Sequence, residues 1–262
     1  MEEKRPSPVC EISVVIPCLN EAGTLPVCLE RASRALSDSQ LVGEIIVADN
    51  NSTDGSRNVA LRSGAKVVDV ARRGYGSAVA GGIRAARGTY ILLGDADGSY
   101  DFLEIPRFID KLREGYDLVQ GCRLPGGGGR IMPRAMPFLH RRWGNPMFSW
   151  LAQQLFGTSV HDIHCGLKAF KRSLFSELDL RCTGFEFNCE LLLQATQRGA
   201  RVTELPITLY RDRHRAHLPH LRTFRDGWRH LWFFLGYRLR WGRSRRSARA
   251  SGTSFRRSSS YK

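Results

Sequence analysis

From Ile12 to Gly121 the chain alternates short apolar runs with longer stretches in which apolar positions recur every three or four residues. Ile12-Ser-Val-Val-Ile-Pro17 predicts a buried first strand. Cys18-Leu-Asn-Glu21 then turns into a helix carrying Leu25, Leu29, Ala32 and Leu36. Glu44-Ile-Ile-Val-Ala-Asp49 predicts a second strand ending in a carboxylate. The turn-rich Asn50-Asn-Ser-Thr-Asp-Gly55 follows, with a helix to Ser63 that Gly64 stops. Lys66 to Val70 is a third strand, and Gly74-Tyr-Gly76 opens a helix whose face is slim because Ala78, Ala80, Ala85 and Ala86 line it. Tyr90-Ile-Leu-Leu-Gly94 is the fourth strand, Glu104 to Glu114 a helix, and Tyr116 to Gly121 the fifth strand. Strands and helices in this alternation predict an α/β domain, a mostly parallel Rossmann-like sheet flanked by helices.

The pattern changes after Cys122. Gly126 to Gly129 interrupt a basic loop containing Arg123, Arg130 and Arg134. Beyond it the spacing predicts a helix around Trp143 to Phe156, a strand near Leu167–Phe170, a helix from Glu186 to Arg198 and a strand Arg201–Leu205. Thr223 to Arg240 places Phe224, Trp228, Leu231, Trp232 and Leu235 on one side of a C-terminal amphipathic helix.

Composition narrows what such a domain can do. With 262 residues and 42% apolar content, the chain can bury a core as one large domain. Its charge of +15 and pI near 10.1 point to a polyanionic partner: phosphorylated substrate, anionic lipid or nucleic acid. Nine Lys/Arg and no acid lie between Arg238 and Lys262, which leaves +6 for the body and marks 241–262 as a basic disordered tail. Seven cysteines, an odd number without a CxxC pair, imply a reducing compartment and free thiols. His161-Asp-Ile-His-Cys165 lacks the second cluster that a zinc site requires. No signal peptide precedes Glu11, and no apolar stretch reaches the ~20 residues of a spanning helix. The expected location is therefore cytoplasmic, with peripheral contact at the inner face of a membrane.

Candidate chemistry centres on Gly94-Asp-Ala-Asp-Gly98. Side chains two apart on an extended chain point the same way, so Asp95 and Asp97 can face one point beyond a strand's carboxyl end. Ligands of open α/β sheets bind at that edge. Two hard oxygen donors suit Mg2+ or Mn2+, which take one or two carboxylates plus substrate phosphates.

Several stretches together resemble a known family. Val14-Val-Ile-Pro-Cys-Leu-Asn-Glu21, Ile45-Ile-Val-Ala-Asp-Asn-Asn-Ser-Thr-Asp-Gly55, Gly74-Tyr-Gly76 and Gly94-Asp-Ala-Asp97 are similar, in order and spacing, to the nucleotide-sugar motifs of family 2 glycosyltransferases of the GT-A fold. Val119-Gln-Gly-Cys-Arg123, Asp162-Ile-His-Cys-Gly-Leu-Lys-Ala-Phe170, Gly184-Phe-Glu-Phe-Asn-Cys-Glu190 and Phe224-Arg-Asp-Gly-Trp-Arg-His-Leu231 resemble the polyprenyl-phosphate branch, that of dolichyl-phosphate sugar synthases. The resemblance runs from about Ile12 to Leu235. It implies a lead-in at 1–10, a nucleotide-sugar-binding half at 11–121, an acceptor-binding half at 122–222 and a membrane-surface helix at 223–240. It also implies that Asp49 bonds the base, that Pro17, Asn20 and Glu21 line the nucleoside pocket, which Gly76 lets backbone approach closely, and that Asp95 and Asp97 hold the metal. Ser99 stands at the third metal position, where the family often has Gln, and Tyr75 stands where Lys is common.

The implied activity is an inverting transfer of a hexose from a nucleotide sugar, UDP-linked by preference, to a polyprenyl phosphate. An acceptor phosphate is mostly dianionic near neutrality and needs positioning more than deprotonation. Arginine's planar fork does that work, so Arg123 is expected to contact the phosphate, with Arg141 or Arg142 as a second contact and Arg142 preferred. Asp162 either orients an arginine or serves as a base, and Glu190 is expected to support the site from its helix. One alternative is the same enzyme class acting on a soluble hydroxyl, with Asp162 as base. The other is a basic nucleic-acid-binding module, against which no recognised nucleic-acid motif is visible.

Overall fold

A computed structural model of the protein describes residues 10–211, 232–234 and 236–237. The strands are β1 (Ile12–Cys18), β2 (Gly43–Asp49), β3 (Lys66–Asp69), β4 (Tyr90–Leu93), β5 (Leu118–Cys122), β6 (Arg130–Ile131), β7 (Lys168–Lys171), β8 (Val202–Pro206) and β9 (Thr208–Leu209). The helices are α1 (Leu25–Asp38), α2 (Ser56–Arg62), α3 (Tyr75–Arg84), α4 (Ile105–Arg113), α5 (Asn145–Phe156), α6 (Arg172–Glu177) and α7 (Glu186–Gln197). Seven strands form one sheet in the order β3-β2-β1-β4-β7-β5-β8, and β6 with β9 makes a small parallel pair beside it.

All seven residues of β1 are buried, as a strand covered on both faces requires. Its side chains alternate between two cores. Ile12, Val14 and Ile16 join one with Leu25, Leu29 and Ala32 of α1 and Phe108 and Leu112 of α4. Val15 joins the other with Val79 and Ile83 of α3, Phe148, Ala152 and Phe156 of α5 and Phe187 and Leu191 of α7. The slim face of α3 is used as its composition implies: a Cβ on Gly82 would lie 2.4 Å from a methyl of Val15.

Within this mostly parallel sheet β7 alone runs antiparallel, inserted between β4 and β5. The consequence for the site is direct. β4 and β5 deliver their carboxyl ends to one edge, and an antiparallel neighbour brings its incoming loop, 157–167, to that same edge. The periodicity gives no warning of this reversal, nor of α6 and the two-residue strands β6 and β9. The helix expected from Trp143 starts instead as a wide turn, His140–Gly144, closed by the Asn145 N–H on the His140 carbonyl. α5 proper begins at Asn145, where Pro146 fits a first helical turn.

Of the C-terminal amphipathic helix, Trp232–Phe234 and Gly236–Tyr237 are helical. Phe234 is fully buried, its ring stacked 5.8 Å from that of Phe148, whereas Trp232 is exposed. The remainder of 223–240, the lead-in 1–9 and the tail 241–262 lie outside the described residues. All seven cysteines are free, and burial pushes the thiols of Cys28, Cys165 and Cys189 up to about 12.

Candidate active site

Asp95 and Asp97 follow β4 directly and are half-buried. Burial, and next the charge of Asp97, push the Asp95 carboxyl up to about 7, while Tyr75, Arg123 and Lys168 oppose the rise. The Asp97 Oδ1 accepts the Ser99 backbone N–H at 2.9 Å, so Ser99 closes a tight turn, its own side chain buried. Asp95 is held from two sides. The Tyr75 hydroxyl at the start of α3 donates to its Oδ1 at 3.0 Å and itself accepts the Asn188 amide at 3.1 Å. On the other side Gly166 lies so close that a Cβ there would meet Oδ2 at 2.5 Å. Behind Asn188, the fully buried Lys168 donates to its carbonyl at 3.4 Å, and burial draws that ammonium down to about 8.

Two carboxylates at a sheet edge are hard oxygen donors of the kind that Mg2+ or Mn2+ takes. No group of three or more His, Cys, Asp or Glu that could hold a metal occurs among the described residues. The donor set thus fits an ion that completes its shell with substrate phosphate oxygens and water, rather than a caged structural ion.

At the end of β5, Arg123 meets Asp162 from the loop before β7. Nε donates to Oδ2 at 2.7 Å, Nη2 to Oδ1 at 2.8 Å, and the Arg123 backbone N–H to Oδ2 at 3.0 Å. Asp162 is wholly buried and the Arg123 side chain is 10% exposed. Burial raises the Asp162 carboxyl, but the charge of Arg123 and its hydrogen bonds prevail and hold it below the usual carboxylate value. Of the two roles open to Asp162, the geometry matches orienting an arginine. As a base it is badly placed: both oxygens are committed and its proton affinity is depressed. The guanidinium keeps its Nη1 edge, with three of its five N–H donors, for another anion. Arg123 also acts electrostatically on Asp95 and on the buried Tyr100 between them, whose hydroxyl accepts the Gly166 N–H at 2.9 Å.

The expected nucleoside residues converge at the ends of β1 and β2. β4 leaves the β1 ladder at Val15, while β2 still pairs with Pro17 through Ala48, so a proline is tolerated where β1 has a partner on one side only. Asn20, at φ 58°, accepts the Thr53 N–H on Oδ1 at 2.7 Å and gives its own N–H to the Ser52 hydroxyl. Glu21 gives its N–H to the Ser56 hydroxyl at 2.8 Å and accepts from Thr24 Oγ1 at 2.8 Å. Asp49, 6% exposed, accepts the Ser52 N–H. Asn50 was not singled out by its pattern. It is buried, donating to the Val70 and Arg72 carbonyls and accepting the Gly74 N–H, which pins the approach to α3.

Two of the expected site residues have surroundings of another kind. The space at Gly76 is already filled: a Cβ would meet the Cys182 carbonyl at 2.6 Å and Phe187 at 2.8 Å, while its N–H donates to the Thr183 carbonyl. Gly76 thus lets the 182–184 loop pack closely against the start of α3. Glu190 secures that loop by accepting the Arg181 and Cys182 N–H groups, a supporting part. The other residue is Arg142. It and Arg141 stand exposed on the 140–144 turn, and neither guanidinium has a partner among the described residues, so the structure does not join them to the Arg123–Asp162 pair. Asn188 and Lys168 are the residues of this cluster that sequence reasoning missed, and Tyr75 was noted only for standing where Lys is common; Asn188 lies in the Gly184–Glu190 motif, read for its glutamate alone, and Lys168 in the Asp162–Phe170 motif.

Comparison with known proteins gives the family and the fold. The model of glycosyl transferase family 2 matches residues 13–179. The low-salt glycan biosynthesis hexosyltransferase Agl6 of Haloferax volcanii is 39% identical over 225 residues, covering 86% of this chain and 53% of its own, so the chain spans about half that relative's length. The dolichyl-phosphate hexose transferase of the same organism is 32% identical, covering 78% of this chain and 84% of its own. Among solved structures, glucosyl-3-phosphoglycerate synthase of Mycobacterium tuberculosis, in complex with Mn2+, UDP and glucosyl-3-phosphoglycerate, aligns with a TM-score of 0.67. It is 25% identical, over 86% of this chain and 80% of that one.

Proposed function

Because the chain belongs to glycosyl transferase family 2 and has its GT-A fold, we propose that it transfers a hexose from a UDP-sugar to a polyprenyl phosphate with inversion at C1. The observation that carries the reading is the sharing of one sheet edge. The Asp95–Asp97 pair ends β4 and the Arg123–Asp162 pair ends β5, with β7 and its loop between them. A diphosphate at the first pair and an anionic acceptor at the second would set the acceptor oxygen opposite the leaving group. The acceptor oxygen bonds C1 as the C1–O bond to the nucleoside diphosphate breaks. Asp95 and Asp97 would hold Mg2+ or Mn2+, and that ion supplies charge neutralisation of the departing diphosphate. Arg123 presents its free Nη1 edge to the acceptor phosphate, and Asp162 fixes the plane of the fork. Pro17, Asn20, Glu21 and Asp49 would frame the uridine.

A soluble hydroxyl acceptor is the second reading, favoured by the likeness to a synthase crystallised with glucosyl-3-phosphoglycerate. A hydroxyl needs a base, and the commitment of Asp162 to Arg123 weighs against it. Radiolabelled UDP-sugar offered with polyprenyl phosphate and with the matching polyprenol separates the two. Label should enter only the phosphate, in a product labile to mild acid; equal transfer to the alcohol would overturn the lipid-phosphate reading.

Tyr75 supplies a test of the metal pair. Tyr75→Phe removes the donor that fixes Asp95 Oδ1 and leaves the Asn188 amide without its acceptor. Outer-shell changes of this kind weaken metal binding by about 10–100-fold. Mn2+ titration followed by electron paramagnetic resonance should show that loss, whereas unchanged Mn2+ affinity would refute the positioning role.

A further inference from the structure

We propose that the outward face of the 138–150 segment docks on an anionic lipid surface and sets the Arg123–Asp162 pair beside it. The lipid-phosphate reading gives this docking its purpose, but the test below does not depend on it.

Phe138, Leu139, Trp143, Met147 and Trp150 are 72%, 57%, 67%, 52% and 59% exposed. The last four recur at helical spacing and lay an apolar stripe about 16 Å long along the 140–144 turn and α5. Single exposed apolar residues are ordinary, but a contiguous run of this size marks a surface that meets another phase or partner. The opposite side of the same segment is occupied, because Phe148, Ala152 and Phe156 belong to the core. α5 is therefore apolar on both sides and covered on one.

Charge identifies the occupant. No Asp or Glu lies between Arg123 and Asp162, while Arg130, Arg134, Arg141 and Arg142 do, and the last two are exposed beside Trp143. A second copy would bring the same cations against themselves, which disfavours self-association. Tryptophan, with an apolar ring and one N–H, and arginine, with a long apolar stem, are the side chains that settle at a lipid–water boundary with anionic headgroups. No helix among the described residues is long and apolar enough to cross a membrane, so contact through such a face would be peripheral.

The inner side of α5 is tied to the site. Ser149 Oγ accepts the Ile163 N–H at 3.2 Å, one residue from Asp162, and the Phe148 ring lies 5.6 Å from that of His164. A lipid surface against Trp150 would stand about one helix diameter, ~10 Å, from the Asp162 loop. A phosphate carried at that surface could reach Arg123 without leaving its lipid.

The test is flotation of the full chain with phosphatidylcholine vesicles, with and without phosphatidylglycerol, in the absence of any substrate. Wild type should float with the anionic vesicles. The double variant Trp143→Gln/Trp150→Gln should partition about two orders of magnitude more weakly, since two large apolar side chains leave the interface. Its transfer to a short-chain, water-soluble acceptor phosphate should stay at the wild-type rate. Leu139→Gln/Met147→Gln on the same stripe gives an independent pair should the tryptophan variant lose its circular-dichroism melt. Three results would overturn the proposal: no flotation of wild type; flotation unaffected by either pair, which would assign binding to the basic tail; or a wild-type dimer that the substitutions convert to monomer. Flotation lost with the stripe but no transfer to any acceptor would uphold the docking face and refute the enzymatic reading instead.

Discussion

Asp97→Asn is expected to leave a folded protein that transfers no measurable sugar. Asp97 is half-buried at the end of β4, and its Oδ1 accepts one backbone N–H, which an asparagine oxygen can still accept. What the substitution removes is charge. A divalent ion held by one carboxylate instead of two neutralises less of the departing diphosphate, a contribution of several kcal/mol and hence about a thousandfold in rate. Excess EDTA on wild type should have the same effect, reversed by Mn2+ or Mg2+; full turnover by either preparation would refute the metal assignment. The partner substitution separates function from stability. The Asp95 carboxyl sits at about 7 against an ordinary 3.8, because burial and then Asp97 disfavour its charge. The folded state therefore binds that proton more tightly than the unfolded state. Below pH 3.8 the unfolded chain too is mostly protonated and little is lost. As pH rises from about 4 through 7 the unfolded chain ionises first, so stability falls until both are ionised. Asp95→Asn should thus raise the melting temperature of the metal-free protein above neutrality by several degrees, the equivalent of about 1–2 kcal/mol, and not near pH 4. A metal-free melting curve identical to wild type at both pH values would contradict that balance.

The two halves of this edge were not equally legible. Asp95 and Asp97 can be read from sequence because their cue is local: an apolar run stops and two acids follow at the period of an extended chain. The framing loop at Asn20, Glu21 and Asp49 is legible for the same reason, being anchored to the ends of two strands whose pattern is unmistakable. The union of Arg123 with Asp162 is not local. It depends on β7 running antiparallel, and four residues, Lys-Ala-Phe-Lys, contain nothing that sets a direction. Gly76 shows a different limit. A glycine declares that space is short without declaring what fills it, and here Cys182 and Phe187 do. Lys168 is a cation within a predicted strand, yet it is wholly buried, its ammonium turned to the Asn188 carbonyl of α7. The exposed stripe from Leu139 to Trp150 misleads in the opposite sense: its spacing is that of a core-facing helix, and only the placement of Phe148 and Ala152 reveals that the core lies on the other side.

Arg123→Ala is expected to cripple acceptor use while nucleotide binding stays near wild type. Losing one charge-assisted contact to a phosphate costs roughly 1.5–3 kcal/mol, or about ten- to over a hundredfold in acceptor kcat/KM. The same substitution strands Asp162, wholly buried, without the guanidinium that took both its oxygens. Breaking a buried pair from one side destabilises by about 3–5 kcal/mol. A fall in activity alone would therefore not separate a lost acceptor contact from a loosened fold. Two further variants do. Arg123→Lys keeps a cation against Asp162 and should regain part of the stability. It should not regain acceptor kcat/KM, because an ammonium cannot bond a carboxylate on one edge and a phosphate on the next. Arg123→Gln combined with Asp162→Asn removes both charges at once, so no buried carboxylate is left unpaired and the melting temperature should recover further. If Arg123 grips the acceptor, that double variant stays impaired for polyprenyl phosphate despite its restored fold. Were its acceptor kinetics to return to wild type with the melting temperature, Arg123 would be a structural partner of Asp162 alone, and the acceptor phosphate would have to be sought at Arg141 and Arg142.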